Sequence, residues 1–324
     1  MSSSMNKYRN DFAIRFAQLM QERLPIWKQT QKEERSSLYS LVSIAGYILV
    51  SLLGFIPGKN ETNYDLNLHF IIAVICFIVA VIINIQTTNK TYQTRVKRTF
   101  FSELLHVFDK NIKYARNQKI PSSYFENCKL YNHTIEIRTD DDVFYGNYKD
   151  VDFTINETDF GYETRDSKGR KHYHSMFKGA AMLFLMNKQI KSRVLIRSKT
   201  LLNFTPQDFE KVELESCDFA KKYNVFVEKN IADGSGQIEA RYLLNTAFMD
   251  RLMQIQTSFK VSKMDCSIFG NEMLVMLSTN KDLFEMNHLL GKIDDIKQYY
   301  HLFDEFASVL SFIEVLNLSS KTKL

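Results

Sequence analysis

The stretch "VFYGNYKDVDFTINETDFGYETR", residues 143 to 165, alternates apolar and polar positions, with Val151, Phe153 and Ile155 on one side and Asp152, Thr154 and Asn156 on the other. A period of two places successive side chains on opposite faces of a strand, so this stretch predicts β-structure with one buried face. Downstream, Asp166, Ser167, Lys168 and Gly169 supply turn chemistry, and "HYHSMFKGAAMLFLM" resumes an extended pattern. The stretch 164 to 180 therefore reads as a hairpin with a basic tip. "RVLIRS" (193–198) reads as a further buried strand, and "MDCSIFGNEMLVMLS" (264–278) as a hairpin turning at Gly270-Asn271.

Helical signals alternate with these strands. "SCDFAKKY" offers Ser216 as an N-cap with Asp218 in the first turn, followed by the β-rich "YNVFVE". "ADGSGQIEARYLL" turns into a short helix, and Thr246 caps a second one, in which Phe248, Leu252, Ile255 and Phe259 share a face. Ile293, Ile296, Tyr300, Phe303, Phe306, Leu310 and Ile313 mark a long closing helix. Local hairpins mixed with helices, without repeated strand-helix-strand units, predict an α+β fold.

The N-terminal part has another character. Residues 38 to 57, "LYSLVSIAGYILVSLLGFIP", and 68 to 85, "LHFIIAVICFIVAVIINI", carry no Asp, Glu, Lys or Arg. Each approaches the roughly 20 residues needed to cross about 30 Å of hydrocarbon. The sequence predicts a transmembrane helical hairpin over 37–86, joined by "GKNETNYDLN". Lys28, Lys32 and Arg35 before it, with Lys90, Arg95, Lys97 and Arg98 after it, place both termini in the cytoplasm by the positive-inside bias. The expected localisation is thus multi-pass in the inner (cytoplasmic) membrane. Small residues around Gly46 would let the two helices approach closely.

The flanks read as amphipathic helices. Phe12, Phe16, Leu19, Met20 and Leu24 recur at helical spacing in a cytoplasmic segment 1–36, with Pro25 ending or kinking the helix and Trp27 at headgroup level. Val96, Phe100, Leu104, Phe108 and Ile112 form a stripe in a juxtamembrane helix spanning 94–120. An α+β domain then occupies 121–324.

Composition narrows the function classes. In 324 residues, 45% hydrophobic and 24% charged, there is material for a sizeable core, and only 4 prolines and 11 glycines argue against long flexible linkers. Cys76, Cys128, Cys217 and Cys266 are scattered, without a CxxC pair, which supports neither a disulfide framework nor a zinc cluster. A net charge of +5 without a basic, aromatic-interleaved stripe does not suggest nucleic acid.

Candidate chemistry is sparse. His172 and His174 project from one strand face and, with Glu163 on the partner strand, are the best offer of a metal site; a solvated pair is the plainer reading. Lys168, Arg170 and Lys171 at the tip are candidates for lipid phosphates or other anions. Asp140, Asp141 and Asp142 lack the spaced ligands of a calcium loop and read as a solvated acidic loop. "DGSGQ" (233–237) lacks the GK[ST] ending of a phosphate loop and reads as a turn. No GxSxG elbow occurs, no cofactor is implied, and no catalytic residue is identified.

The combination of "IPSSYF", "RDSKGRKHYHSMFKG", "VELESCDFAKKYNVFV", "QIEARYLLNTAFMDRL" and a late "DLFEM" resembles the bacterial membrane proteins grouped as domain of unknown function 3137. The resemblance implies no activity. It marks Lys178, Gly179, Glu239 and Arg241 as family-pattern positions of unknown role, with glycine at 179 serving backbone geometry and Glu239 pairing with Arg241 inside the fold. The expected function is a membrane-anchored binding or scaffolding module at the cytoplasmic face, engaging a protein partner or lipid headgroups. The alternative is a membrane-tethered hydrolase or metal-dependent enzyme using the His172/His174 face.

Overall fold

The computed structural model describes residues 3–54, 66–96, 102–115, 118–200, 205–214, 217–229, 235–281, 283–284 and 292–321. The chain divides into two units. One comprises Met1–Ile14, Ser102–Glu285 and Tyr300–Leu324, and the other Arg15–Phe101 with Met286–Tyr299.

In chain order the elements are α1 (Ser3–Gly54), α2 (Leu66–Val96), α3 (Ser102–Leu105), β1 (Lys113–Tyr114), α4 (Ser122–Asn127), β2 (Ile137–Tyr148), β3 (Val151–Arg165), β4 (Lys171–Ser198), β5 (Phe209–Val212), α5 (Cys217–Lys222), β6 (Tyr223–Glu228), α6 (Ser235–Leu243), α7 (Thr246–Ser258) and β7 (Lys263–Ser278). A 3-10 turn, Ile296–Tyr299, leads into α8 (Tyr300–Lys321). The α+β expectation holds, with one antiparallel sheet of order β1-β2-β3-β4-β6-β5 and β7 paired to β4.

Strand β4 organises that sheet. Its residues Gly179 to Leu185 lie between β3 and β7, whereas Val194 to Ile196 lie between β6 and β7. The register with β7 shifts between Leu185 and Ile190 and again before Val194. Gly270, opposite Ile190, adopts a φ of +61°, a left-handed conformation that costs glycine nothing. The hairpin expected at Gly270-Asn271 is therefore a bend within one strand: both halves of β7 pair with β4, which no local turn signal could reveal.

The period-two pattern of residues 143 to 165 is largely observed. Val151, Phe153 and Ile155 are buried in β3 and Asp152 is exposed, although Asn156 is also buried. Inner-face residues alternate between two layers. Phe184 packs toward the helices, 5.4 Å from the Phe312 ring of α8, which in turn meets Phe248 of α7 at 5.3 Å. Leu183 turns to the opposite face, where Phe125 of α4 packs with Phe160, Phe177 and Leu274. Burying each such side chain stabilises the fold by about 1.5–3 kcal/mol.

Caps and ends correct several expectations. Asn245, not Thr246, caps α7 by accepting a hydrogen bond from the Phe248 N–H at 3.0 Å; the expected Ser216 cap lies outside the described residues. "RVLIRS" is continuous with β4. The closing helix begins at Tyr300, with Ile293 before it. The juxtamembrane helix of 94–120 is not formed as one element: α3 is a single turn, followed by turns in which Leu104, Leu105 and Ile112 are buried. Phe108 stacks with Phe12 and Phe303 at 6.0 and 5.5 Å, so its stripe is used for packing between short segments.

In the second unit, α1 continues through Pro25, so the helix does not end there, and Trp27 is 5% exposed and thus buried in protein rather than at a headgroup level. Phe16 packs on Tyr299 at 4.8 Å, and Lys28 pairs with Asp294 at 2.9 Å. Gly46 faces Phe77 of α2, as its small size suggested.

The transmembrane hairpin is corrected. Among the described residues no helix is long and apolar enough to cross a membrane. The described parts of both apolar runs belong to longer helices, α1 and α2, that also carry polar turns. The linking segment, residues 55–65 with its sequon, lies outside the described residues. The multi-pass inner-membrane localisation falls with the hairpin. Ile71, Ile72, Ile75, Ile78, Ile82 and Ile83 of α2 are each about half exposed.

Candidate functional site

The basic tip forms the predicted hairpin but spends its charges locally. Asp166 accepts from the backbone N–H groups of Lys168 and Arg170, both at 2.9 Å, and Arg170 Nε donates to Asp166 Oδ2 at 2.8 Å. These bonds, led by the Arg170 backbone N–H, hold the Asp166 carboxyl below its usual value. Lys171 pairs with Glu163 at 2.7 Å, and that carboxylate pushes the ammonium up.

The two histidines are not drawn together. His172 Nε2 lies 3.5 Å from Asp166 Oδ2, whereas His174 Nε2 lies 2.7 Å from Thr164 Oγ1 and stacks on Tyr162. Glu163 turns to Lys171 instead. Among the described residues no group of three or more His, Cys, Asp or Glu side chains is placed to hold a metal ion.

Asp140, Asp141 and Asp142 form no solvated loop. They sit in β2 at a bulge, where Asp140 binds Arg138 at 2.8 Å and Lys119 at 3.1 Å. Asp142 is fully buried and accepts from the Tyr114 hydroxyl at 2.7 Å. Three acidic side chains in sequence alternate faces once the chain is extended, so each meets its own neighbours.

The family-pattern positions make structural contacts at separate places in the fold, and only Glu239 touches the irregular stretch of β4. Gly179 has φ +143°, and a Cβ there would run into the Leu277 carbonyl of β7. Lys178 Nζ lies 3.8 Å from Asp159. Glu239 of α6 accepts from the N–H groups of Lys191 at 3.0 Å and Ser192 at 3.1 Å, tying α6 to the irregular stretch of β4. Arg241 donates to the Glu213 carbonyl at 3.3 Å. The expected Glu239–Arg241 pair is replaced by these separate partners, because residues two apart on a helix point in different directions.

The same bend opens a cavity of about 450 Å³, lined by α4 (Ser123, Tyr124 and Asn127, with Cys128 and Lys129 following), by Leu183 and Arg193 of β4, and by Ser267, Phe269, Glu272 and Leu274 of β7. Arg193 is its distinctive group. The guanidinium lies over the Phe269 ring, 4.4 Å from its centroid, and Nη1 makes a long 3.4 Å bond to Ser267 Oγ. Its Nε is buried without a hydrogen-bond acceptor among the described residues. Burial holds the Arg193 pKa below its usual value, opposed by the nearby carboxylate charges, first of Glu228 and then of Glu272. A half-buried guanidinium lining a cavity is equipped to receive an anionic oxygen.

Nucleophilic chemistry is not served here. Burial pushes the Cys128 thiol up to about 11 and Cys266 well above its usual value, so both stay protonated at neutral pH. No histidine lines the cavity. A larger cavity of about 730 Å³ beside Glu213 and Asn245 includes Arg241, whose guanidinium is already donating to backbone.

Sequence reasoning missed Arg193 because it opens "RVLIRS", where a polar residue reads as the solvated end of a short strand. The available signal was a cation placed directly before three apolar residues, Val194, Leu195 and Ile196, without an acidic residue two away.

Fold and site together define an α+β domain whose bent antiparallel sheet carries an arginine-bearing cavity. Residues 175–318 match the family described as "Protein of unknown function (DUF3137)", which supports placing this region of the chain in that family. No curated protein matches. Among solved structures the chain is similar to the crystal structure of the mycobacterial trehalose monomycolate transport factor A, TtfA, at 10% identity and a TM-score of 0.34, over 63% of this chain and 86% of that one. A score of that size bears on neither fold nor function.

Proposed function

We propose that the domain is a binding module, not a catalyst, and that it holds an anionic group of its partner in the Arg193 cavity. The observation that carries this is the half-buried Arg193 guanidinium lining the cavity, held there by one long 3.4 Å bond to Ser267 and by the Phe269 ring. A hydrogen bond from a guanidinium to an anionic oxygen is about twice as strong as one between neutral groups. A carboxylate of a protein partner and the phosphate of a lipid headgroup offer the same chemistry. The catalytic alternative at His172 and His174 has less support, since each imidazole faces a different local partner and both are open to solvent.

The test is calorimetric titration of the full chain with inorganic phosphate and with acetate, using wild type and Arg193→Met. Binding of at least one anion, weakened tenfold or more by the substitution, is expected. Absence of binding by wild type, or equal binding by the variant, overturns the reading.

A further inference from the structure

Arg193 shares its cavity with a carboxylate that does not neutralise it. Glu272, half-buried on β7 just past the Gly270 bend, lines the same space, yet it reaches Arg193 only through its charge and makes no hydrogen bond to it. The bend explains the arrangement. Glu272 is in register with Leu185, whereas Arg193 follows the irregular stretch of β4, so the two charges come from opposite sides of the bend and line one hollow without pairing.

Tyr124 of α4 closes the acidic side. Burial raises its hydroxyl pKa, and the Glu272 carboxylate beside it raises it further, which keeps that hydroxyl protonated and donating toward Glu272. Leu183 and Leu274, 7% and 4% exposed, add apolar lining to the same cavity. A partly desolvated guanidinium and a partly desolvated carboxylate that face one cavity without meeting are each costly alone. One occupant satisfies both if it carries an anionic oxygen group at one end and an ammonium at the other.

Building on the anion reading above, we infer that the cavity selects zwitterionic ligands, with the anionic group on Arg193 and the ammonium on Glu272. Glu272 then acts as the discriminating element. It repels a simple anion of the same size and pairs with the cationic end of a zwitterion, so that selectivity comes from an unfavourable contact as well as a favourable one.

Matched ligands that differ only in the amine test this: O-phosphoethanolamine against ethyl phosphate, and 3-aminopropionate against propionate, titrated into wild type, Glu272→Gln and Arg193→Met full chains. Wild type is expected to prefer the zwitterion at least fivefold in one pair. Glu272→Gln should bring that pair to parity while still binding the plain anion, which also shows that the variant is folded. Arg193→Met should lose both members. A preference confined to the phosphate pair assigns a headgroup-like ligand, and one confined to the carboxylate pair assigns an amino-acid-like ligand. Equal binding within both pairs by wild type, or a preference that survives Glu272→Gln, overturns the inference and leaves the anion site standing. Failure of wild type to bind any of the four overturns both.

Discussion

Replacing Arg193 by methionine should stabilise the protein, and the size of the gain follows from the few interactions its guanidinium makes and the one it lacks. The substitution removes a buried Nε–H without an acceptor, an unmet donor that costs about 1–3 kcal/mol. It forfeits the stacking over Phe269, about 0.5–1 kcal/mol for a partly exposed cation. It also forfeits the Nη1 bond to Ser267, which at 3.4 Å lies beyond the usual N–H···O range and contributes little. Methionine keeps an unbranched stem of similar length. The balance is a gain of about 1 kcal/mol, seen as a higher urea midpoint with an unchanged slope. A loss of more than about 1 kcal/mol would show that the guanidinium is a strut of the fold and refute the view that it is held at a cost for binding.

Gly179→Ala should be among the most damaging single-atom additions in the chain. It combines a φ of +143° with a collision against the Leu277 carbonyl, for an expected loss of at least about 3 kcal/mol in urea denaturation; a loss below about 1 kcal/mol would mean the β4–β7 contact yields easily. Stability should also fall as pH rises above the mildly acidic range, because of α8. Its Glu305, fully buried, has a pKa raised above 4.5, first by burial, while His301, 2.9 Å away, is raised above 6.5, first by its bond to Glu305. A raised acid favours its neutral form in the fold, so stability is fullest below 4.5 and is lost as pH climbs through the folded value. A raised histidine likewise contributes below 6.5 and loses that contribution through its own higher value, so the two act with one sign, with Lys260 and Asp304 as the other charges facing them. Thermal melts from about pH 5 to 8 should show a declining midpoint in wild type and a flatter profile in Glu305→Gln, and a wild-type profile that does not decline would contradict the assignment.

What the sequence determined by itself was local and periodic. The alternation of Val151, Phe153 and Ile155, the Asp166–Gly169 turn and the apolar stripe of α7 each follow from backbone geometry within a dozen residues, and each was readable for that reason. The apolar runs near the N-terminus were read from composition alone. That reading could not see that they are embedded in longer helices with polar turns, and it did not hold among the described residues.

Tertiary structure alone decided the site. Arg193 and Glu272 lie far apart in sequence and carry no shared motif. They meet one cavity only because β4 changes partners along its length and β7 bends at Gly270 instead of turning back. Pairing between distant strands sets such positions, and a local pattern holds no information about which strand a residue will face.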